Sequence, residues 1–420
     1  MRADIPSDRF YRQRRFGPSQ FYNLRQAQRR SGLICRLSPT DPDPVARIID
    51  PENLLKVFDL LAATGGSGAG PDGITYSDVN RTEIASALRE ASRLIRIGQY
   101  RPPPEREIRL AKRSGGYRVL KLGTIVHRII CKAAQLAIEG PLDAVLLPCV
   151  HGFRPKRSVL TLLADLERIA VTEDRWVIAT DDIADAFPSI PIMLAVSSLA
   201  RVISSQPLVG LLELLIRGHD GQSHETGLAQ GCPLSPLAMN ISLNFVLDSP
   251  YVGHSTNPPY WRYADNICVL AKTVAEGQEA LLCARRLLQR CGPQLKGTDG
   301  PPVDLRVPGS SAKLLGLQIQ RGTGELNLTV ALETWDDLNT KLAEAYEYEN
   351  PTRKAWEAVH GWVDARGLAF DGVENATKRI RRMLADVGIQ ECPSDVELGD
   401  WLRTSRDRWN SVRQAAGLRT

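Results

Sequence analysis

Residues 176–190 read Trp176-Val-Ile-Ala-Thr-Asp-Asp182-Ile-Ala-Asp185-Ala-Phe187-Pro-Ser-Ile190, a short β-branched run that delivers a carboxylate at its end. Residues 257–270 repeat the device as Asn257-Pro-Pro-Tyr-Trp-Arg-Tyr263-Ala264-Asp265-Asn266-Ile-Cys-Val-Leu270. Between them stands Gln230-Gly231-Cys232-Pro233-Leu234-Ser235-Pro236. Alternation along an extended first run puts Ile178, Thr180 and Asp182 on one face, and Val177, Ala179 and Asp181 on the other. In the second run Trp261, Tyr263 and Asp265 share a face, with Asp265 and Asn266 at a hairpin tip. An ionised carboxylate beside an apolar strand is costly unless a metal or a partner neutralises it. One such aspartate reads most simply as a cap or turn residue. Two, brought together from distant strand ends, are what a two-metal nucleotidyl-transfer site needs.

The rest of the chain sets limits on this reading. Its 420 residues allow two to three domains, and 43% apolar residues fill ordinary cores. No run reaches the roughly 18 apolar residues of a membrane span, and the arginine-bearing N-terminus lacks the apolar stretch of a secretory signal. Eight cysteines without a C-x-x-C pair argue against a zinc site or a disulfide framework. Free thiols suit a reducing compartment, so the expected location is the cytoplasm. Net charge is +5 but uneven: residues 1–30 hold eight arginines against Asp4 and Asp8, and residues 101–160 hold twelve Lys and Arg against four acids. Focused basic blocks fit a phosphate backbone, though a solvated face explains them equally well.

Helical spacing covers 52–63, 79–97 and 124–138. Strands are expected over 100–122 around Ser114-Gly-Gly116, and again at 175–182. Thr64-Gly-Gly-Ser-Gly-Ala-Gly-Pro-Asp-Gly73 lacks the Lys-Ser/Thr ending of a P-loop and reads as a flexible connection. From residue 330 the pattern turns helical through Leu332, Trp335, Leu338 and Leu342. A helix start follows at Asn350-Pro351, then an apolar face of Ile380, Met383, Leu384 and Val387, and a capping box at Ser394-x-x-Glu397. Lys378, Arg379, Arg381 and Arg382 oppose that face and read first as a solvated surface.

Further motifs stand in order along the chain: Gly70-Pro-Asp-Gly73, Tyr100-Arg-Pro-Pro-Pro104, Lys112, Gly116-Tyr-Arg118, His127-Arg128, His151-Gly-Phe-Arg-Pro155, the Gln230–Pro236 segment, Arg262-Tyr-Ala-Asp265-Asn266 and Lys313-Leu-Leu-Gly-Leu317. Over about residues 52–320 the chain resembles prokaryotic reverse transcriptases of the group II intron-like branch, which includes defence-associated lineages. The resemblance implies an α+β right-hand polymerase. It would have a basic N-terminal extension (1–50), fingers and palm with an antiparallel sheet (51–328) and a helical thumb (329–420). The implied activity is RNA-directed DNA synthesis by two-metal-ion transfer, with a role in phage defence among its settings. The implied partners are an RNA template and primer, dNTPs, and a noncoding RNA or partner protein, with no membrane.

Residue roles follow from the same resemblance. Asp182 and Asp265 would hold Mg²⁺, with Mn²⁺ as the alternative ion, and the Ile183 carbonyl would complete a metal shell. Backbone amides near Asp185 and Ala186 would meet the triphosphate, which Lys112 and Arg118 would grip from the fingers. Phe187 would lie beneath the sugar and select deoxynucleotides, and Gln230 and Gly231 would lie along the templating pair. Arg154 and Lys313 would contact nucleic acid.

Two departures stand out. Asn266 replaces the family's usual third carboxylate and offers a cation a neutral oxygen in place of an anion. That leaves either an active enzyme with altered metal demand or a degenerate fold kept as an RNA-binding scaffold. Asp181 points away and is no obvious substitute. The loop Leu295-Lys-Gly-Thr-Asp-Gly-Pro-Pro-Val-Asp-Leu-Arg306 replaces the usual lysine-bearing loop, leaving Lys296 or Lys313 to protonate pyrophosphate.

Overall fold

A computed structural model describes residues 42–64, 68–111, 117–297, 299–345, 351–370, 373–389 and 393–418. Lys112, the Ser114–Gly116 turn and most of the N-terminal extension lie outside the described residues.

The chain begins with helices α1 (Pro51–Thr64) and α2 (Arg81–Arg96), the second opened by a capping box between Asn80 and Glu83. The end of the Gly-rich connection is pinned, contrary to the expectation of a flexible loop. A Cβ on Gly70 would lie 2.7 Å from the Gly123 carbonyl oxygen, so the turn packs backbone to backbone there. Strands β1 (Arg106–Ala111) and β2 (Tyr117–Leu122) pair antiparallel from Arg106↔Leu122 to Ala111↔Tyr117. Thr124 then caps α3 (Ile125–Asp143), which runs five residues beyond the expected end and takes in Pro141.

Helix α4 (Val159–Glu173) leads into β3 (Val177–Asp182). Helices α5 (Ile192–Ala200), α6 (Gln206–Arg217) and α7 (Ser235–Leu243) follow, the last continuing through a π turn at Asn244–Asp248. Strands β4 (Tyr260–Tyr263) and β5 (Asn266–Ala271), helix α8 (Val274–Gln289) and strand β6 (Val303–Asp304) complete a sheet of order β4-β5-β3-β6, antiparallel throughout. Both faces are covered. Ala179, Ile267 and Val269 join one core, with α8 and α5 to α7, whereas Ile178, Cys268 and Leu270 join another, with α4. Burial on both faces explains why β5 is apolar from Ile267 to Ala271 and β3 from Val177 to Ala179.

A second sheet, β7 (Ala312–Leu314), β8 (Leu317–Arg321) and β9 (Leu326–Val330), turns at Leu315-Gly316, where both residues have positive φ as a tight hairpin requires. Helices α9 (Leu332–Glu344), α10 (Pro351–Arg366), α11 (Val373–Asp386) and α12 (Asp395–Ala415) end the chain around a third core of Trp335, Trp362, Ile380 and Leu398. The basic residues of α11, Lys378, Arg379, Arg381 and Arg382, are exposed as a solvated face requires, and the Arg379 guanidinium also lies 4.0 Å from the Trp335 ring centre. The architecture is α+β, with antiparallel sheets followed by a helical C-terminal part.

Candidate active site

Strand register builds the site. β3 pairs with β5 so that Asp182 lies opposite Asn266, while Tyr263 opposite Asn266 closes the β4–β5 hairpin on Ala264 and Asp265 alone. Ala264 takes φ 56°, a left-handed turn conformation. The Ile183 amide donates to the Asp265 carbonyl at 2.9 Å, so the end of β3 and the hairpin turn are tied directly together. Asp182 and Asp265 therefore share one cleft. Asp181 faces away as alternation required, accepting from the Gly297 amide at 2.9 Å, with Arg285 at 3.9 Å.

The hairpin turn is held from beneath by groups to which the sequence reading gave no role. Arg262 is fully buried and its guanidinium meets Asp248, also fully buried, at 2.6 Å. It further donates to Asn240 Oδ1 at 2.9 Å and to the Ala264 carbonyl at 2.8 Å. Asp248 closes the π turn, a local widening of the helix that recurs at functional sites. The available signal was Arg262 itself: an arginine between apolar strand residues needs a buried acid.

Of the two candidate lysines, Lys296 lies beside the site. An antiparallel bridge between Ile183 and Leu295 carries it to Asp182, and its Nζ donates to Asp182 Oδ2 at 2.8 Å. Partial burial works against its charge, but the hydrogen bond to Asp182 and the charges of Asp182, Asp265 and Asp299 raise its pKa. Asp299, from the same loop, is another neighbour missed in the sequence; burial, then the charges of Asp182 and Asp181, push its carboxyl up. Lys313 is elsewhere, on β7, in an exposed ion pair with Glu333.

Asp265 is raised above the ordinary carboxylate range, chiefly by burial and then by the charge of Asp182, while Lys296 and Arg118 pull it down. Arg118, exposed on β2, thus acts electrostatically on Asp265. Two carboxylates that still repel, with an all-oxygen donor set, fit a hard dication such as Mg²⁺ or Mn²⁺. Among the described residues no three His, Cys, Asp or Glu are grouped to hold a metal. Magnesium keeps several waters and takes ligands from substrate phosphates, so a pair of carboxylates is compatible with it. Asn266 turns its amide toward Asp265, with Nδ2 3.4 Å from Oδ1.

Asp185, with φ 42°, starts a four-residue helical turn that buries Ala186 and leaves Phe187 half-buried. The Phe187 carbonyl accepts from Leu228 at 2.8 Å, drawing in the loop that carries Gln230 and Gly231. Gly231, at φ 113°, is required by a protein contact, because a Cβ there would lie 2.6 Å from the Lys121 carbonyl of β2. Gln230 Oε1 is buried without a hydrogen-bond partner.

Arg154 corrects an expectation. It is buried, and its guanidinium donates to Asp143 Oδ1 at 2.7 Å and to the carbonyls of Leu147, Val150 and Asp143. These bonds make it a strut for the 143–150 loop in place of the expected nucleic-acid contact.

Residues 110–297 match the family described as reverse transcriptase (RNA-dependent DNA polymerase). Protein YkfC of Escherichia coli (strain K12) is 30% identical over 211 residues, covering 47% of this chain and 54% of that protein. Group II intron-encoded protein LtrA of Lactococcus lactis subsp. cremoris is 30% identical over 156 residues, covering 36% of this chain and 26% of that protein. The chain thus spans about half the length of the first relative and about a quarter of the second. The apo telomerase structure from Candida Tropicalis aligns over 74% of this chain and 63% of its own at 9% identity, with a TM-score of 0.45.

Proposed function

We propose that this chain, which carries a reverse transcriptase domain over residues 110–297, extends a primer with deoxynucleotides on an RNA template. The observation that carries the reading is the hydrogen-bonded junction of Ile183 with Asp265, which sets the two carboxylates at the mouth of one cleft. Divalent ions held by Asp182 and Asp265, with the Ile183 carbonyl beside them, would lower the pKa of the primer 3′-hydroxyl and neutralise the triphosphate. The 3′-oxygen forms its bond to the α-phosphorus as the bond to pyrophosphate breaks. Lys296, a protonated amine already on Asp182, is placed to give the leaving pyrophosphate a proton. Arg118 and Lys112 hold the phosphates from the fingers, Arg with a planar fork and Lys with a point charge. The amides of Asp185 and Ala186 face the triphosphate, Phe187 excludes the 2′-hydroxyl, and Gln230 and Gly231 flank the templating pair.

Asn266 favours a second reading, in which the fold binds RNA without chemistry. Primer extension with an RNA template, dNTPs and Mg²⁺ or Mn²⁺ separates the two. Extension by the wild type, abolished in Asp182→Ala, supports the polymerase; extension that survives in Asp182→Ala defeats the assignment. Asn266→Asp is expected to raise incorporation at low Mg²⁺ by roughly tenfold, the scale on which groups around a metal tune its affinity. Tight, salt-sensitive RNA binding with no incorporation by either protein points to the scaffold. Sequencing the nucleic acid that copurifies with the chain identifies the template and tests the defence role.

A further inference from the structure

Phe153 is an exposed aromatic in a conformation that phenylalanine disfavours. Its φ is 55° and its side chain is 47% exposed. Backbone bonds on both sides hold it there. The His151 amide donates to the Arg262 carbonyl at 2.8 Å, buried Asn240 donates to the Gly152 carbonyl at 2.7 Å, and Arg154 is locked from below. Gly152 lies so close to the hairpin turn that a Cβ on it would stand 2.3 Å from the Ala264 nitrogen. On the other side the Phe153 ring meets the Phe187 ring edge-on, with centroids 6.1 Å apart and planes at 69°. Phe153 therefore bridges the two halves of the cleft, between the turn that carries Asp265 and the ring that follows Asp185. Strained backbone that is over-determined by its surroundings clusters at functional sites. Here three non-glycine residues with positive φ, Phe153, Asp185 and Ala264, surround one cleft.

We propose that Phe153 is a second specificity-determining ring, which completes with Phe187 an apolar wall against the sugar of the incoming nucleotide. The proposal rests on the polymerase reading of the cleft. An apolar ring suits the flat face of a sugar and leaves an added 2′-hydroxyl without a hydrogen-bond partner, the kind of mismatch by which a pocket discriminates. The wall is built from two chain segments, so neither ring alone sets the full preference.

The test is single-nucleotide incorporation by the full chain on an RNA template, comparing kcat/KM for dNTP and rNTP. Phe153→Gly removes the ring at a position where glycine accepts the positive φ, so the thermal midpoint is expected to hold or rise. Its preference for dNTP should fall about tenfold, through better use of rNTP, while Phe153→Leu keeps bulk and most of the preference. An unchanged ratio in Phe153→Gly beside a lowered ratio in Phe187→Ala overturns the proposal and leaves the polymerase intact. An equal loss for both nucleotides assigns Phe153 a purely structural part and also overturns it. A wild type that incorporates neither nucleotide refutes the polymerase reading itself, and the proposal with it.

Discussion

Gly152 shows how little freedom the cleft allows. A methyl group there must displace the Ala264 backbone, and with it Asp265. Gly152→Ala is expected to cost about 1–3 kcal/mol of stability, as overpacking does. Its effect on primer extension should be far larger, roughly a hundredfold, because a misplacement of about 1 Å suffices for that. Gly210→Ala, inside α6 with nothing within 4 Å of the added atom, should stabilise by up to about 1 kcal/mol and leave extension unchanged. Thermal melts and extension rates on the pair check both. At this scale the sequence was legible in residue identity and, along the strands, in direction, but not in the partners a side chain takes. Asp182, Asp265 and Phe187 could be named, and alternation correctly turned Asp181 away. Arg154 could not be told from a phosphate-binding arginine, because nothing local reveals that its donors go to the carbonyls of Leu147 and Val150. Lys296 and Lys313 were indistinguishable until the Ile183–Leu295 bridge set one beside Asp182.

Elements carry the site through contacts that periodicity does not reveal. The β4–β5 hairpin could be read from its apolar runs, but not that Arg262 within β4 reaches back to Asp248 in the π turn. Removing one partner of a buried pair strands the other charge, so Asp248→Ala should cost about 3–5 kcal/mol. Because Arg262 also holds the Ala264 carbonyl, extension should fall further than the melting shift implies. Helix α3 supplies a pH dependence. Burial lowers the His127 pKa to about 4, and its imidazole contacts Tyr100 and Cys131. The unfolded chain takes up that proton near the ordinary histidine value of about 6.5, before the fold does. Stability from His127 is therefore complete above about pH 6.5 and is lost as pH falls toward 4, by up to about 1.4 kcal/mol per unit. Burial likewise lowers His151, whereas it raises Asp165 and gives an opposing slope. The signature is thus a difference: chemical denaturation from pH 7 to 5 should weaken the wild type more steeply than His127→Gln. Parallel curves would remove His127 from this account.

At the scale of the whole molecule, one helix joins regions that the sequence pattern separates at about residue 329. Leu398 and Leu402 of α12 fill the core of the terminal helices, whereas Trp409 and Val412 fill the core that takes in Ile178, Cys268 and Leu270 of the four-stranded sheet. Apolar spacing alone could not show this, since all four residues follow one continuous helical stripe. Arg413 extends the junction: it meets the fully buried side chain of Glu167 at 2.7 Å and Glu325 at 2.9 Å, 5.9 Å from the Trp409 ring centre. The terminal helices are therefore fastened to the sheet at their far end as well as through β9. Trp409→Ala should cost about 3–5 kcal/mol, the scale of a large aromatic removed from a core. The loss should fall on the junction more than on the terminal core, a separate cluster in which the Trp335 and Trp362 rings lie tilted at 44° with centres 4.4 Å apart. Calorimetry should then resolve a unit around the four-stranded sheet that melts earlier, ahead of the terminal helices, where the wild type melts closer to one transition. Primer extension should shorten in product length before it slows in single-nucleotide addition, because Asp182 and Asp265 are set by β3 and the β4–β5 turn rather than by α12. A single transition shifted downward, with both steps impaired equally, would show that the two cores unfold as one and that α12 helps to shape the cleft itself.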